Sequence, residues 1–209
     1  MSVSSYLFRD VVVFIVAYLV GSLPFSYIFA RLIKGVDVTK EGSHNMGATN
    51  VLRTAGPFAA LCAFLGDFLK AVLLLAVLRH LLPMPSQETV LIASVAVVLG
   101  HDFSVLAGFK GGKGVATTFA VVSMLSWPVA LVALGIWAGC MFATRIVSIA
   151  SIATLGAFPI IALLFGEPWL VVVTYLLLAV LGIVRHATNI DRLRKGTESR
   201  LDGAYFRKR

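Results

Sequence analysis

The 209-residue chain is 59% hydrophobic and only 13% charged, with a mean hydropathy of +0.93. This composition excludes an ordinary soluble domain, because several long apolar runs in one chain are typical of an integral membrane protein. The formal net charge is +8, and most basic residues lie in short segments between the apolar runs. The charge therefore indicates membrane orientation and anionic ligands rather than nucleic acid as a partner.

Seven apolar segments predict a single-domain (1–209), all-α integral membrane protein with about seven transmembrane helices. We place the predicted spans at residues 11–33, 56–82, 89–106, 114–126, 128–143, 149–165 and 168–185. The fourth span is shorter than the about 20 residues that a bilayer core requires. Spans four and five could therefore form a re-entrant pair instead of two crossings.

Basic residues are divided unequally between the two sides that these spans define. One side holds 15 of the 18 Lys and Arg residues, while Arg9 and Arg79 lie on the other and Lys70 lies within the second span. Because Lys and Arg accumulate in cytoplasmic loops, this bias predicts an outside N-terminus and a cytoplasmic C-terminus.

Most polar residues also lie on the predicted cytoplasmic side. They fall in four segments, at residues 34–53, 100–114, 144–151 and 185–199. Segments that meet at one membrane face can build one site, so we expect a single polar site at the cytoplasmic surface.

The first polar segment is rich in groups that bind anions: Ser43, Asn45, Gly47, Thr49, Asn50 and Arg53. Ser, Thr and Asn supply neutral hydrogen-bond donors, and a guanidinium presents a planar fork that suits phosphate or carboxylate. The alternative is a structural helix cap, in which Thr49 or Asn50 begins a helix near Val51. The same geometry can bind an anion at the helix N-terminus.

The second polar segment contains GFKGGKG at residues 108–114, followed by an apolar helix that we expect to carry Thr117 and Thr118 in its first turn. Glycines allow several backbone amides to converge, and lysines add positive charge beside them. The pattern predicts a phosphate cradle made by Lys110, Lys113, Gly111, Gly112 and Gly114. The alternative is a lysine pair that only fixes membrane topology.

Two histidines and one ion pair complete the candidate polar groups. His101 and His186 flank the glycine- and lysine-rich segments on the same side, which favours ligand contact over a purely structural role. Asp67 and Lys70 are three residues apart in the second span, a spacing that predicts a structural ion pair, with a proton relay as the alternative. The sequence indicates no cofactor and no metal.

Four sequence segments, which together run through nearly the whole chain, resemble motifs of the bacterial acyl-phosphate:glycerol-3-phosphate acyltransferases, the PlsY family. They are GSLPFSYI (21–28), EGSHNMGATNVLR (41–53), GHDFSVLAGFKGGKGVAT (100–117) and HATNIDRLRKGTES (186–199). Two residues depart from the usual pattern, because His44 replaces a glycine and Ser104 replaces a proline.

The resemblance implies that an acyl group moves from a fatty acyl phosphate to the 1-hydroxyl of glycerol 3-phosphate. The products would be 1-acyl-glycerol 3-phosphate (lysophosphatidate) and phosphate, in the first acylation step of bacterial phospholipid synthesis. The resemblance further implies a soluble enzyme that supplies the acyl phosphate, with neither acyl-CoA nor acyl carrier protein used directly as donor. It places the protein in the bacterial cytoplasmic (inner) membrane, with the active site facing the cytoplasm.

Matching the motifs residue by residue implies two groups of site residues. The catalytic group is Ser43, Arg53, Lys113, His186 and Asn189. The substrate-binding group is Asn45, Gly47, Thr49, Asn50, His101, Lys110, Gly111, Gly112, Gly114, Ser151 and Glu198. Within this set, His101 is expected to shape the site and Glu198 to orient basic residues.

Two other functions could use the same basic segments. A transporter of phosphorylated metabolites would need polar residues that continue to the bilayer midplane, and only Asp67 and Lys70 approach it. A noncatalytic lipid-binding scaffold would not need paired His and Asn residues among the lysines.

Overall fold

The computed structural model describes residues 3–81 and 85–201. Within these ranges the chain forms ten α-helices, one short 3₁₀ helix (Val105–Ala107) and no strand, which confirms the predicted all-α fold. The α-helices are α1 (Val3–Gly21), α2 (Phe25–Lys34), α3 (Ala48–Ala55), α4 (Pro57–Leu81), α5 (Gln87–Asp102), α6 (Val115–Leu125), α7 (Trp127–Thr144), α8 (Val147–Leu164), α9 (Trp169–Arg185) and α10 (Ala187–Arg194).

Fewer helices have the full length of a membrane span than the sequence predicts. In the described part of the chain, five segments are long and apolar enough to cross a membrane, namely Ser5–Lys34, Pro57–His80, Gln87–Ala107, Trp127–Thr144 and Val147–Leu164. The pair α9 and α10, bent by 57°, would add a sixth. The predicted fourth span becomes α6, whose 11 residues extend only about 16 Å and are too short to cross a core of about 30 Å.

The first predicted span is helical but interrupted at residues 22–24. Pro24 has no amide hydrogen to continue the α1 ladder, and α2 begins directly after it. Before the interruption, α1 packs closely along α5 because two glycines lie at the contact. A Cβ on Gly21 or Gly100 would overlap the backbone of the facing helix. Small residues at such contacts let membrane helices approach closely.

The short helix α6 lies inside the bundle, where it packs against α4 and α7. An aromatic row crosses the interior beside it, formed by Phe68, Phe119, Phe158 and Tyr175, with neighbouring ring centroids 6.2–6.3 Å apart. Tyr175 is fully buried. This row packs α4, α6, α8 and α9 against one another.

The four predicted polar segments meet at one end of the bundle, as expected from the sequence. Side-chain hydrogen bonds connect them in pairs: Asn45 donates to the Gly111 carbonyl, Lys113 donates to Asn189, and Ser148 donates to Glu198. Residues that are far apart in the sequence thereby surround one cavity.

Candidate active site

A cavity of about 260 Å³ lies at this polar end and is lined by residues from all four polar segments. Twelve of the sixteen predicted site residues line the cavity: Ser43, Asn45, Gly47, Thr49, Asn50, Arg53, His101, Lys113, Ser151, His186, Asn189 and Glu198. The other four, Lys110, Gly111, Gly112 and Gly114, do not line it.

The glycines of residues 108–114 have a packing role that the sequence did not reveal. The Gly112 amide donates to the His101 carbonyl at 3.1 Å, so the prediction that this amide is free to bind phosphate is wrong. A Cβ on Gly111 or Gly112 would overlap atoms of His101. Gly114 has a φ of +71°, which disfavours other residues. Lys110 is exposed. The lack of side chains at Gly111 and Gly112 therefore lets the segment pack against the end of α5.

Arg185, which was not among the predicted site residues, fixes the same segment from the other side. Its Nη2 and Nε donate to the Gly112 carbonyl at 3.0 and 3.2 Å. The guanidinium also lies over the Phe103 ring, 4.9 Å from the centroid. Arg185 thus closes the turn that places Lys113 at the cavity.

Asn50 shapes the first polar segment rather than capping a helix at Val51. The helix α3 begins at Ala48 after Gly47, so the alternative of a cap at Thr49 or Asn50 is wrong. The Asn50 amide donates to the Val38 and Glu41 carbonyls at 2.9 and 3.0 Å, and its oxygen accepts from the Ser43 amide at 2.8 Å. Asn50 therefore folds residues 38–43 over the cavity.

The first turn of α3 and one guanidinium provide the anion-binding character of this wall. Gly47, Ala48 and Thr49 line the cavity at the helix N-terminus, where amides lack partners within the helix. Arg53 follows on the same helix, and its buried Nε has no hydrogen-bond partner in the described ranges 3–81 and 85–201. Both features are suited to an anionic ligand.

Glu198 organises the opposite wall. One carboxylate oxygen accepts from Asn189 at 2.5 Å and Ser148 at 2.9 Å, and the other accepts from Arg192 at 2.6 Å. Burial alone would raise the pKa of Glu198, but these hydrogen bonds outweigh it and hold the pKa below its usual value. Asn189 in turn accepts from Lys113. The glutamate thus fixes the groups that orient the lysine.

The electrostatics of the cavity favour binding of an anion at Lys113. Burial, together with the nearby cations Arg192, Arg53 and Arg185, lowers the pKa of Lys113 to about 8, and Glu198 offsets this only in part. A phosphate beside the ammonium would supply the missing negative charge and restore the protonated form.

His186 presents only one ring nitrogen for ligand binding. The residue is buried, and its Nδ1 lies 2.7 Å from the Gly182 carbonyl oxygen. Because a carbonyl can only accept, Nδ1 carries the hydrogen and Nε2 remains for a ligand. Ser151 and Thr154 line the cavity on α8.

A buried charged cluster lies behind the cavity. Lys70 and Asp67 form the predicted ion pair, with Nζ and Oδ1 2.7 Å apart. The His101 Nδ1 lies 3.0 Å from the Lys70 Nζ and 3.3 Å from the Asp67 Oδ1. Asp67 and His101 both line the cavity, so the cluster adjoins the candidate site.

The remaining cavity wall is apolar and was not predicted. It includes Phe64 on α4, Phe119 on α6, Leu134 and Trp137 on α7, and Phe158 on α8. Apolar side chains in membrane helices have the same sequence pattern whether they face lipid, protein or ligand. No sequence signal therefore distinguished these residues.

Comparisons with known proteins agree on one family. Residues 11–196 match the family model for glycerol-3-phosphate acyltransferases. The glycerol-3-phosphate acyltransferase of Syntrophomonas wolfei is 41% identical over 193 residues, which cover 92% of this chain and 97% of that protein. The enzyme of Carboxydothermus hydrogenoformans is 41% identical over 187 residues, covering 90% and 94%.

Two solved structures of PlsY (YgiH), an integral membrane glycerol 3-phosphate acyltransferase, have the same fold. The glycerol 3-phosphate form has a TM-score of 0.88 and 36% identity, covering 96% of this chain and 99% of that chain. The lysophosphatidic acid form has a TM-score of 0.84 and 37% identity, covering 94% and 97%. This chain therefore belongs to the glycerol-3-phosphate acyltransferase family of integral membrane enzymes.

Proposed function

We propose that this enzyme transfers a fatty acyl group from acyl phosphate to the 1-hydroxyl of glycerol 3-phosphate. The observation that carries the proposal is the division of the cavity into two parts. Its polar part contains Arg53 and Lys113, and its apolar part contains aromatic rings such as Phe119 and Phe158. A donor with a phosphate head and an oily tail matches both parts.

The apolar wall also supports entry of the donor from the bilayer. Phe64 on α4 and Leu134 on α7 line the cavity and are 40% and 47% exposed. Since these helices are apolar, their outer surfaces face lipid. An acyl chain can therefore reach the cavity sideways while its phosphate head stays at the polar end.

The polar part offers groups for two phosphates. The N-terminus of α3 and Arg53 form one wall, while Lys113 and Asn189 form another. A guanidinium and a helix N-terminus each stabilise a dianion, and an ammonium adds a point charge. Glycerol 3-phosphate and the acyl-phosphate head would occupy this space together.

The reaction needs positioning and charge stabilisation more than a strong nucleophile. The 1-hydroxyl oxygen attacks the acyl carbonyl carbon, and the bond between that carbon and the phosphate oxygen breaks. Phosphate leaves with the bond electrons and takes the hydroxyl proton, so no acyl-enzyme forms. Cations held in place by the protein offset the charge that develops, and the cavity holds the reactants at attack distance.

His186 would position the attacking hydroxyl. Its Nδ1 hydrogen is committed to the Gly182 carbonyl, so the lone pair on Nε2 can accept a hydrogen bond from the 1-hydroxyl. That contact would orient the oxygen toward the acyl carbonyl. The phosphate product remains the final proton acceptor.

We further propose that the polar end faces the cytoplasm of a bacterium, in the inner membrane. The bias of basic residues toward that end supports this orientation. A soluble enzyme would deliver acyl phosphate from the same side. A cysteine at Gly196 should be labelled only from the cytoplasm and one at Ser86 only from outside, in a chain without Cys62 and Cys140.

The donor is tested with purified protein in lipid vesicles supplied with glycerol 3-phosphate. Acyl phosphate should yield lysophosphatidate, and acyl-CoA of the same chain length should not. Arg53→Ala should lose activity, whereas Lys40→Ala, at an exposed basic residue outside the cavity, should not. Equal turnover with acyl-CoA would overturn the proposed donor.

A further inference from the structure

The buried cluster behind the cavity determines which nitrogen of His101 carries hydrogen. An ammonium group has three N–H donors and no acceptor. The Lys70 Nζ has three acceptors around it: the Asp67 Oδ1 at 2.7 Å, the Leu23 carbonyl at 3.1 Å and the His101 Nδ1 at 3.0 Å. With one donor directed at each acceptor, the Asp67 Oδ1, although 3.3 Å from the His101 Nδ1, accepts from Lys70 at the shorter distance, and the His101 Nδ1 accepts from Lys70 as well.

The fold maintains this arrangement from several helices. The Leu23 carbonyl lies at the interruption between α1 and α2, where it can accept from Lys70. The second oxygen of Asp67 accepts from the Ser26 hydroxyl at 2.9 Å. Asp67 and Lys70 are almost fully buried, so water does not compete for these contacts. The donor pattern of Lys70 is consequently fixed before substrate binds.

A neutral imidazole has one hydrogen, so an accepting Nδ1 requires a donating Nε2. The His101 Nε2 lies against Gly112, where even a methyl group would overlap it. Within the described part of the chain Nε2 has no hydrogen-bond partner, although His101 is only 7% exposed and lines the cavity. The free N–H therefore lies next to Gly112, one residue before Lys113.

His101 and His186 consequently have opposite roles at one cavity. The Nδ1 of His186 donates to a backbone carbonyl, which leaves a lone pair at Nε2. The Nδ1 of His101 accepts from Lys70, which leaves a hydrogen at Nε2. One ring can accept from a hydroxyl, and the other can donate to an anionic oxygen.

We propose that His101 is a preset hydrogen-bond donor to a phosphoryl oxygen of the bound substrate, and that Lys70 is its positioning residue. This inference rests on the proposed function for the identity of the anion. The geometry of the cluster does not depend on it. Lys70 thereby acts on the substrate through an imidazole, without entering the cavity itself.

The direct test is ¹⁵N NMR of the protein labelled at histidine, in detergent or lipid nanodiscs. His101→Gln identifies the signals of this ring, and bare and hydrogen-bearing nitrogens give well-separated signals. We expect hydrogen on Nε2 and none on Nδ1 in the wild-type protein without substrate. Hydrogen on Nδ1 would overturn the inference.

Inorganic phosphate serves as the binding probe, so that this step is independent of acyl transfer. Titration of phosphate should shift the Nε2–H resonance of His101 in the wild-type protein. In a sample labelled at arginine as well, an unchanged resonance at phosphate concentrations that shift the Arg53 side-chain signal would overturn the donor role. If the protein binds phosphate in this way yet fails to use acyl phosphate, only the proposed function is rejected.

Two substitutions at His101 distinguish a role as hydrogen-bond donor from a role in packing alone. Glutamine can place an amide N–H near the position of Nε2, whereas leucine has similar bulk and no donor. We expect His101→Gln to keep kcat/KM within several-fold of wild type and His101→Leu to lower it roughly ten- to hundredfold. Equal activity of the two variants, both folded, would contradict the donor role.

Lys70→Met tests the positioning residue. Without the ammonium, the Asp67 Oδ1, 3.3 Å from Nδ1, becomes the nearest acceptor, and the hydrogen should move from Nε2 to Nδ1. The ¹⁵N spectrum of a folded variant reports this switch, and activity should fall as in His101→Leu. An unchanged spectrum would refute the role of Lys70, and the wild-type spectrum remains decisive if this variant does not fold.

Discussion

The charge of Lys113 should control the pH dependence of the reaction, because this side chain should lose its proton just above neutral pH. Burial and neighbouring cations lower its pKa to about 8 in the free enzyme. The ammonium is protonated below that pH and neutral above it. About nine tenths of the molecules are therefore charged at pH 7 and about one tenth at pH 9.

The expected magnitude follows from this titration. If only the charged form binds the phosphate productively, kcat/KM falls about tenfold for each pH unit above 8, since this ratio reports ionisations of the free enzyme. A phosphate ester has its second pKa near 6, so the substrate is already a dianion across this range. Bound phosphate raises the pKa of Lys113, so kcat falls at higher pH than kcat/KM does.

The assay measures initial rates of lysophosphatidate formation between pH 6.5 and 9.5, with glycerol 3-phosphate varied. Lys113→Arg is the matched control because a guanidinium remains charged throughout. It should have a lower kcat/KM than wild type, since a planar fork does not reproduce a point charge, and no fall above pH 8. A level wild-type profile to pH 9.5, or the same fall in Lys113→Arg, would show that the charge of Lys113 does not control the pH dependence.

Three further predictions follow from individual contacts. Glu198→Gln should lower kcat/KM for glycerol 3-phosphate at least tenfold, because it removes the carboxylate that orients the residues of one cavity wall. Asp191→Asn, which changes an exposed ion pair, should leave kcat/KM unchanged. Similar kinetics for the two variants would contradict this prediction. Gly112→Ala should lose most activity, because the added methyl group displaces the His101 imidazole. Gly139→Ala is the control and should stay active, because a Cβ there contacts nothing. An active Gly112→Ala enzyme would disprove the packing role of Gly112. His44 has a φ of +56°, which is unfavourable for a residue with a Cβ atom. We therefore expect His44→Gly to raise the free energy of unfolding in detergent by about 0.5–1 kcal/mol, and a lower melting temperature would count against backbone strain.

The polar half of the site was predictable because polar residues are unusual in such an apolar chain. Arg53 and Asn189 stand out in short segments, and the bias of basic residues groups those segments on one side. Their meeting in space follows from the order of the spans. Twelve predicted residues consequently line one cavity.

The rest of the site depends on contacts that have no local sequence signal. Gly112 could be recognised as unusual, but its overlap with His101 depends on how two distant segments pack. Leu134 and Phe119 look like any apolar residues of a membrane helix. The shortness of α6 was predicted, but its position inside the bundle depends on how α4 and α7 pack against it, and composition alone does not determine that.

We propose that the acyl group passes directly between two substrates bound in one cavity, and measurement of phosphate release tests this. Purified enzyme in vesicles is mixed with acyl phosphate, with and without glycerol 3-phosphate, and phosphate and lysophosphatidate are measured in the same samples. We expect equal amounts of the two products with glycerol 3-phosphate, and no initial burst of phosphate without it. A burst of one phosphate per enzyme without glycerol 3-phosphate, with an acylated protein detected by mass spectrometry, would contradict it.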